Sequence, residues 1–244
     1  PTFNSDSNGG NFATYNPLTK GSYSTLAKSN LQTTGASAAD WGTVLGTMGF
    51  SSGKWYWEVR MISMRYSAPG PGISAGSVST TQTTTLGGPR NFVYNAGNAS
   101  SFYSQYDMGI FGSITTVETG VSQFSAGNIM MLCLDVDNKK MWFGKNGTWF
   151  NSGNPATGSN PQLSWTGTGF DIHPAISEYG STSSSSYTNF GQDGTFGGTE
   201  TAQGNSDDTG YGNFYYDPPT GFLAMCTGNL PVADEVDPAQ TDDD

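Results

Sequence analysis

The stretch NIMMLCLDVDNKKMWFGKNGTWFNSG, residues 128–153, decides the fold that the sequence predicts. Its first part is apolar at nearly every position as far as Asp135, and an apolar run without alternation is typical of a central strand covered on both faces. The polar DNKK then predicts a turn, the aromatic MWFG a returning strand, and Asn146-Gly147 a second tight turn with positive φ. The stretch therefore predicts a hairpin through the middle of a core.

The composition of the whole chain predicts an all-β protein. Charged residues make up 12% of the 244 positions, about half the usual share. No stretch repeats apolar residues at helical spacing for three turns, whereas short β-branched or aromatic runs recur between clusters of Gly, Asn and Pro. We predict a two-sheet antiparallel β-sandwich with strands near residues 41–48, 53–61, 72–79, 91–94, 101–110, 128–136, 140–144, 173–178, 186–190 and 221–226.

Polar, glycine-rich stretches separate these predicted strands. Residues 4–11 and 79–89 have the composition of loops. Residues 194–219 form the longest such stretch, which is too long and too polar for a simple turn. We expect this segment to be a large surface loop.

Charge and hydropathy argue against two classes of partner. The net charge is −11, and the nine lysines and arginines are scattered, which does not suit nucleic-acid binding. No apolar run approaches the roughly 20 residues of a membrane-spanning helix. Cys133 and Cys226 lie in apolar runs without a CxxC spacing, so they read as core residues, and a disulfide between them stays open.

Four stretches of the sequence occur in a characteristic order. They are GKWYWEVRM at residues 53–61, GISAGSVS at 72–79, LDVDNKKMWFGKNG at 134–147, and IHPAISEYG with TNFG at 172–180 and 188–191. In this order they resemble the SPRY domain, a bent sandwich of the concanavalin A-like jelly-roll kind. The resemblance implies a module that binds other molecules without catalysis and without a cofactor.

The two ends resemble a narrower group. NFATYNPL at residues 11–18, the loop 194–219 and GFLAMCTGNLP at 221–231 are similar to the form of this domain in bacteriophage structural proteins. That resemblance implies a virion protein, with a lead-in at residues 1–10, the sandwich at 11–232, and an acidic linker or tail at 233–244. Cellular SPRY domains generally lack the long insertion, so their peptide-binding residues do not transfer to these loops.

The residues needed for catalysis are scarce. A nucleophilic triad requires a histidine, and His173 is the only one. It precedes Pro174 at a place where the family often carries an aromatic residue, so we expect it to pack. Glycosidases need paired carboxylates, whereas Glu58, Glu118 and Glu178 each stand alone. We expect the chain not to be an enzyme.

Three groups of side-chain oxygens could in principle bind Ca²⁺. They are Asp135, Asp137 and Asn138; Asp6, Asn8 and Asn11; and Asp207 with Asp208. None ends in the bidentate Glu that completes a calcium loop. We therefore predict no metal site and a turn-forming role for the Asp137-Asn138 pair.

Aromatic and arginine side chains in loop-like contexts supply the candidate binding residues. Such residues dominate binding hot spots because they combine a large area with a polar tip. The ligand-binding residues that we predict are Arg65, Tyr66, Arg90, Tyr103, Tyr106, Tyr211 and Tyr215. The same residue types also fill sandwich cores, and position in the sequence does not separate the two roles.

The sequence leaves more than one function open. We predict a non-catalytic binding module of a phage tail fibre, tail-associated protein or capsid appendage. It would form a homo-oligomer in the particle and contact a host-surface glycan or protein. The first alternative is a structural virion protein whose loops contact neighbouring subunits. The second is a host-cell interaction domain of the adaptor type.

The acidic end gives a first testable prediction. Residues 234–244 hold six of the 20 acidic residues, with one Val and one Ala, too little apolar area to offset the entropy of ordering. Deleting them should change the midpoint of thermal unfolding by less than about 2 °C. A fall of about 5 °C or more would show that this end docks on a folded domain.

Overall fold

A computed structural model of the chain describes residues 10–36, 41–64, 68–75, 91–95, 101–105, 111–117, 122–179 and 184–231, with only the backbone described at 91–95 and 101–105. Its strands are β1 Ser24–Ala27, β2 Gln32–Gly35, β3 Trp41–Leu45, β4 Lys54–Ser63, β5 Gly70–Ala75, β6 Asn91–Asn95, β7 Ser101–Gln105, β8 Ile114–Thr116, β9 Ile129–Asp135, β10 Lys140–Lys145, β11 Thr148–Trp149, β12 Leu163–Trp165, β13 Ile172–Tyr179, β14 Ser185–Asn189 and β15 Leu223–Ala224. Short 3-10 turns lie at Pro17–Thr19, Phe150–Ser152 and Thr227–Asn229.

The strands form two sheets. The larger sheet has the order β1-β2-β14-β4-β9-β10-β12-β8, with β11 paired to β10 and β15 paired to β4. The smaller sheet has the order β3-β13-β5-β6-β7. Every pairing is antiparallel except the short one between β15 and β4. The predicted all-β, two-sheet sandwich is confirmed, and none of the helices in the described ranges is long and apolar enough to cross a membrane.

The predicted hairpin lies at the centre of the larger sheet. Strand β9 pairs with β10 on one side and with β4 on the other, which explains why its residues are apolar without alternation. Leu132, Leu134, Trp142 and Phe143 have no exposed surface. The burial predicted for this stretch is confirmed.

Polar side chains shape the turns of this hairpin. Asp135 accepts hydrogen bonds from the backbone and side-chain nitrogens of Asn138, both at 2.9 Å, so this carboxylate closes the DNKK turn. Asp137 instead accepts from the backbone of Gly53 at 3.1 Å and ties the turn to the start of β4. Asn146 and Gly147 both have positive φ, +48° and +84°, as the sequence predicts.

The central strands are buried on both faces. On the inner face, Trp57, Leu132 and Phe143 belong to a large cluster that also contains Ile73 and Ile176 of the smaller sheet. On the outer face a second cluster covers the larger sheet, with residues from the central strands and from the C-terminal segment: Tyr56, Met131, Cys133, Trp142, Phe214, Phe222, Ala224 and Cys226. A second core thus lies on the outer face of the larger sheet, where residues 211–226 cover it. Cys133 and Cys226 are both free and buried there, so the open question of a disulfide is answered.

Several elements differ from the prediction. Five strands are absent from it, namely β1, β2, β8, β11 and β12, because they are short and their residues are largely Ser, Thr and Gln. Strand β15 has two residues rather than six, because only Leu223 and Ala224 pair with β4, whereas Met225 and Cys226 pair with the N-terminal segment at Phe12 and Ala13. The end of the predicted strand 101–110 lies outside the described residues, as do residues 1–9 and 232–244, so the domain boundaries stay predictions.

Truncating a central side chain tests the importance of this hairpin. We expect Leu134→Ala to lower the free energy of unfolding by about 2–5 kcal/mol, because it leaves a cavity between the sheets. Leu18→Ala is the matched control, since Leu18 is 84% exposed and should change stability by less than about 0.5 kcal/mol. Urea titration measures both, and equal small losses would contradict a central position for β9.

Candidate binding site

The residues that the sequence predicts for the site are only partly described. Arg65, Tyr66, Arg90 and Tyr106 lie outside the described residues, and of Tyr103 only the backbone, in β7, is described. The side chains of the other two predicted residues are described, and both belong to the C-terminal segment. Their role as ligand-binding residues stays a prediction.

Tyr211 and Tyr215 are both half-buried. The ring of Tyr211 packs on the second cluster over the outer face of the larger sheet. The ring of Tyr215 meets that of Tyr216 edge-on, with 5.0 Å between the ring centres, and lies 6.3 Å from that of Phe196. Both tyrosines therefore help to hold the long loop against the sheet, and each keeps part of its surface exposed.

The carboxylate of Glu58 fastens the long loop to the sheet. It has no exposed surface, and its oxygens accept hydrogen bonds from the backbone nitrogens of Tyr215 at 3.0 Å and Tyr216 at 2.7 Å. The Tyr56 hydroxyl donates to it at 3.0 Å and the Asn189 amide at 3.2 Å. Two of the four donors are backbone N–H groups, which cannot change direction. Glu58 is therefore an anchor for the loop, which the isolated residue in the sequence did not reveal.

Asp193 organises the first turn of the same loop. Its carboxylate accepts hydrogen bonds from the Tyr187 hydroxyl at 2.7 Å, the Gly197 backbone at 2.8 Å and the Thr195 backbone at 2.9 Å. Partial burial raises the pKa of this carboxyl, but the hydrogen bonds from Thr195, Tyr187 and Gly197 outweigh it and hold the pKa below its usual value. Asp193 is thus a fixed negative charge.

Asp207, one of the residues considered as a calcium ligand, has a similar structural role. Its oxygens accept from the backbone nitrogens of Thr209, Tyr211 and Ala224 and from the side chain of Asn229, at 2.7–3.0 Å. Backbone donors therefore occupy the positions that a cation would need. No group of three potential metal ligands occurs in the part of the chain that the structure describes.

A second buried glutamate, Glu178, lies against strands β2 and β14 of the larger sheet. Glu178, on β13, has no exposed surface and accepts from the hydroxyls of Thr33 and Ser186 at 2.7 Å and of Ser184 at 2.5 Å. A hydroxyl can turn to accept as well as donate. The surroundings of Glu178 therefore suit a protonated carboxyl as well as an ionised one.

Burial makes both glutamates titrate near neutrality. Loss of hydration raises the pKa of Glu58 to about 7, against the lowering effect of its hydrogen bonds from Tyr215 and Tyr216. The same cause raises the pKa of Glu178 to about 7. A raised pKa often marks a catalytic group, but each of these carboxyls is enclosed by protein.

His173 does not complete a catalytic group among the described residues. Its Nδ1 lies 3.1 Å from the carbonyl oxygen of Gly46. Its ring also packs so closely on Gly49 that a Cβ there would lie 2.5 Å from Nε2. These contacts agree with the packing role that the sequence predicts.

An open cleft of about 560 Å³ lies beside the loop anchored by Glu58. Apolar side chains and polar ones from three parts of the chain line it: Gly10, Asn11, Phe12, Thr14, Lys28, Ser29, Asn30, Leu31, Tyr187, Gln192 and Asp193. The wall formed by Gln192 and Asp193 is held in place, because Gln192 donates to the carbonyl oxygen of Ala13 at 2.7 Å and the hydrogen bonds described above hold Asp193. The volume is in the range of small-ligand sites.

The turn between β1 and β2 forms the polar rim of the cleft. Lys28, Ser29 and Asn30 follow one another with φ of +50°, +57° and +63°. Left-handed conformations of residues other than glycine cost about 1 kcal/mol or more each and concentrate at functional sites. None of the three side chains hydrogen-bonds to a described residue, so their polar groups are available to a ligand.

Most basic residues of the described ranges are paired, but Lys28 is not. Of the others, four reach carbonyl oxygens or carboxylates: Lys20 bonds to Ser24, Lys140 to Gly158, Lys145 to Gln123, and Arg60 to Glu200. The Nζ atom of Lys54 lies 3.6 Å from Oδ2 of Asp135. Lys28 and Lys139 have no such partner among the described residues, and each lines a cavity, Lys139 a smaller one of about 240 Å³. Sequence patterns do not show which lysines are unpaired, because most of these partners lie 18 or more positions away in the chain.

Comparison with known proteins finds similarity only to solved structures. No family model matches the chain, and no curated protein is significantly similar to it. The similar structures include SPRY domains. The SPRY domain of human HERC1 is 16% identical, with a TM-score of 0.47, and the match covers 71% of this chain and 96% of that domain. The TRIM65 PSpry domain is 12% identical, with a TM-score of 0.45, and the match covers 72% of this chain and 87% of that domain. Stonustoxin is 16% identical, with a TM-score of 0.44 over 73% of this chain and 27% of its own. None of the three is a bacteriophage protein by its description, and the phage form stays a prediction.

The two buried glutamates predict how stability depends on pH. A carboxyl whose pKa is about 7 in the folded chain and near 4.5 when unfolded stabilises the fold while it is protonated. That contribution is complete below about pH 4.5 and is lost as the pH rises through 7, about 3 kcal/mol per group. We expect the free energy of unfolding, from urea titrations, to fall between pH 5 and pH 8. A constant or rising value would contradict this.

Two conservative variants separate the roles of the glutamates. Glu178→Gln should retain stability at pH 5 and weaken the dependence on pH, because the surrounding hydroxyls can accept from an amide. Glu58→Gln should lose about 1–3 kcal/mol at pH 5, because one amide nitrogen would face a backbone N–H that cannot turn. Equal stabilities of the two variants at pH 5 would contradict the anchor role of Glu58.

Proposed function

We propose that the chain is a non-catalytic binding module of a bacteriophage virion protein. It would belong to a tail fibre, a tail-associated protein or a capsid appendage and contact a glycan or protein on the host surface. The resemblance of the sequence to SPRY domains supports a binding role, and the resemblance of its ends to phage structural proteins supports a place in the virion. It would be present as a homo-oligomer in the particle.

The cleft beside the anchored loop is the observation that carries this proposal. It combines an apolar floor at Phe12, Leu31 and Tyr187 with free polar groups at its rim. Ligand sites typically have this combination, in which apolar area gives affinity and a few polar groups give specificity. Backbone hydrogen bonds from Leu31 to Lys28 at 3.2 Å and from Tyr15 to Asn30 at 3.0 Å hold the turn at the rim, which leaves its side chains for a ligand.

A variant that fills the cleft tests the binding role. Asn11 is exposed at the cleft, and Asn11→Trp should abolish binding of the full chain to oligosaccharides and purified host-envelope proteins on an array. Thr148→Trp is the control, because Thr148 is exposed on β11 and does not line the cleft. Both variants should retain the thermal midpoint of the wild-type chain within about 2 °C. An array without any bound ligand, or binding that Asn11→Trp leaves intact, would contradict the proposal.

Labelling of particles tests the place in the virion. Antibodies against the chain should decorate purified phage particles in electron micrographs, and an excess of the free chain should reduce adsorption of the particles to host cells. Decoration without any effect on adsorption would favour the structural alternative, in which the loops contact neighbouring subunits. Absence of decoration would contradict a virion protein.

A further inference from the structure

We propose that the cleft binds an acidic oligosaccharide whose single carboxylate pairs with Lys28 at the rim. This inference rests on the proposed function, since it names the ligand class of the same cleft.

The charge at the rim favours an anionic group. The chain carries a net charge of −11, with only nine basic residues, yet Lys28 has no carboxylate or carbonyl partner among the described residues. Five of the other six described basic residues do have one. An ammonium group at the edge of a concave, partly apolar site attracts a carboxylate more strongly than one on an open surface does.

The remaining polar groups favour a sugar over a peptide. The free groups are the amides of Asn11 and Asn30 and the hydroxyls of Thr14 and Ser29, all without a hydrogen bond to a described residue. Amides and hydroxyls both donate and accept, which matches the hydroxyl groups of a sugar. A peptide that binds as an added strand pairs with exposed backbone along a sheet edge. The free polar groups of this cleft belong to side chains instead. Phe12, which is half-buried, supplies apolar surface in the cleft for the face of a sugar ring.

Asp193 limits the ligand to a single acidic group. Asp193 lines the same cleft, and its carboxylate stays ionised because its hydrogen-bond donors stabilise the charge. A polyanion that filled the cleft would bring a second negative charge toward Asp193 and be repelled. The ligand therefore places its carboxylate at Lys28 and neutral hydroxyls toward Asp193.

Titration calorimetry with the full chain tests this assignment. The probes are three trisaccharides with one terminal acid, carrying glucuronic, galacturonic or sialic acid, and the methyl ester of each. We expect at least one acid to bind, and its ester, which has the same shape without the charge, to bind about tenfold more weakly. Raising the salt concentration should weaken binding of the acid but not of the ester.

Three variants assign the effect to one side chain. Lys28→Gln should make the acid bind as weakly as its ester, and Lys28→Arg should restore the preference for the acid. Lys139→Gln is the matched control, because Lys139 also lacks a partner but lines the other cavity, and it should bind as the wild type does. Equal losses in Lys28→Gln and Lys139→Gln would overturn the proposal, as would equal binding of acid and ester or no binding of any acid.

The outcomes also separate this inference from the proposed function. If an array ligand is lost in Asn11→Trp but is unaffected in Lys28→Gln, the cleft is a binding site and the acidic ligand is wrong. If Asn11→Trp has no effect on any ligand, both the inference and the proposed use of the cleft are wrong.

Discussion

A buried carboxylate that accepts two consecutive backbone N–H groups is the constraint on which the outer half of this protein depends. Glu58 lies on β4. The two residues whose backbone it binds, Tyr215 and Tyr216, are 157 and 158 positions further along the chain. A carboxylate in this position is costly to bury, and the cost is offset only while its donors are present. The loop that provides them is therefore fixed to the sheet, and the rings it carries roof the outer face of β4, β9 and β10.

This roof explains the sequence pattern of the central strands. A sandwich strand usually has one face toward the other sheet and one toward water, which gives alternation of apolar and polar residues. In β9 all seven residues are buried, since the smaller sheet covers one face and the C-terminal segment covers the other. Charged residues are correspondingly rare there, and Glu58 is tolerated on the neighbouring strand because the covering segment supplies its partners.

Local patterns predicted the parts of the fold that depend on neighbours in sequence. The hairpin of β9 and β10 and its Asn146-Gly147 turn follow from an apolar run and from a dipeptide that favours positive φ. The hairpin of β1 and β2 has neither signal, because its strands are short and polar and its turn is Lys-Ser-Asn. The role of Glu58, the unpaired state of Lys28 and the cleft itself depend on contacts between distant residues, which one sequence does not reveal. Tyr211 and Tyr215 were chosen as binding residues by their type, and their surroundings show that much of their area holds the loop in place.

The anchor and the cleft belong to one continuous network, which links the fold to the proposed site. Asn189 donates to Glu58 and, with its side-chain oxygen, accepts from the backbone nitrogens of Gly191 and Asp193 at 2.9 Å. Gln192, between these two residues, reaches across to Ala13 and joins the wall of the cleft to the N-terminal segment. The wall therefore takes its position from the same buried carboxylate that secures the loop. A wall that is already in place lowers the entropy lost when a ligand binds. The free side chains of the β1–β2 turn are then the groups that distinguish one ligand from another.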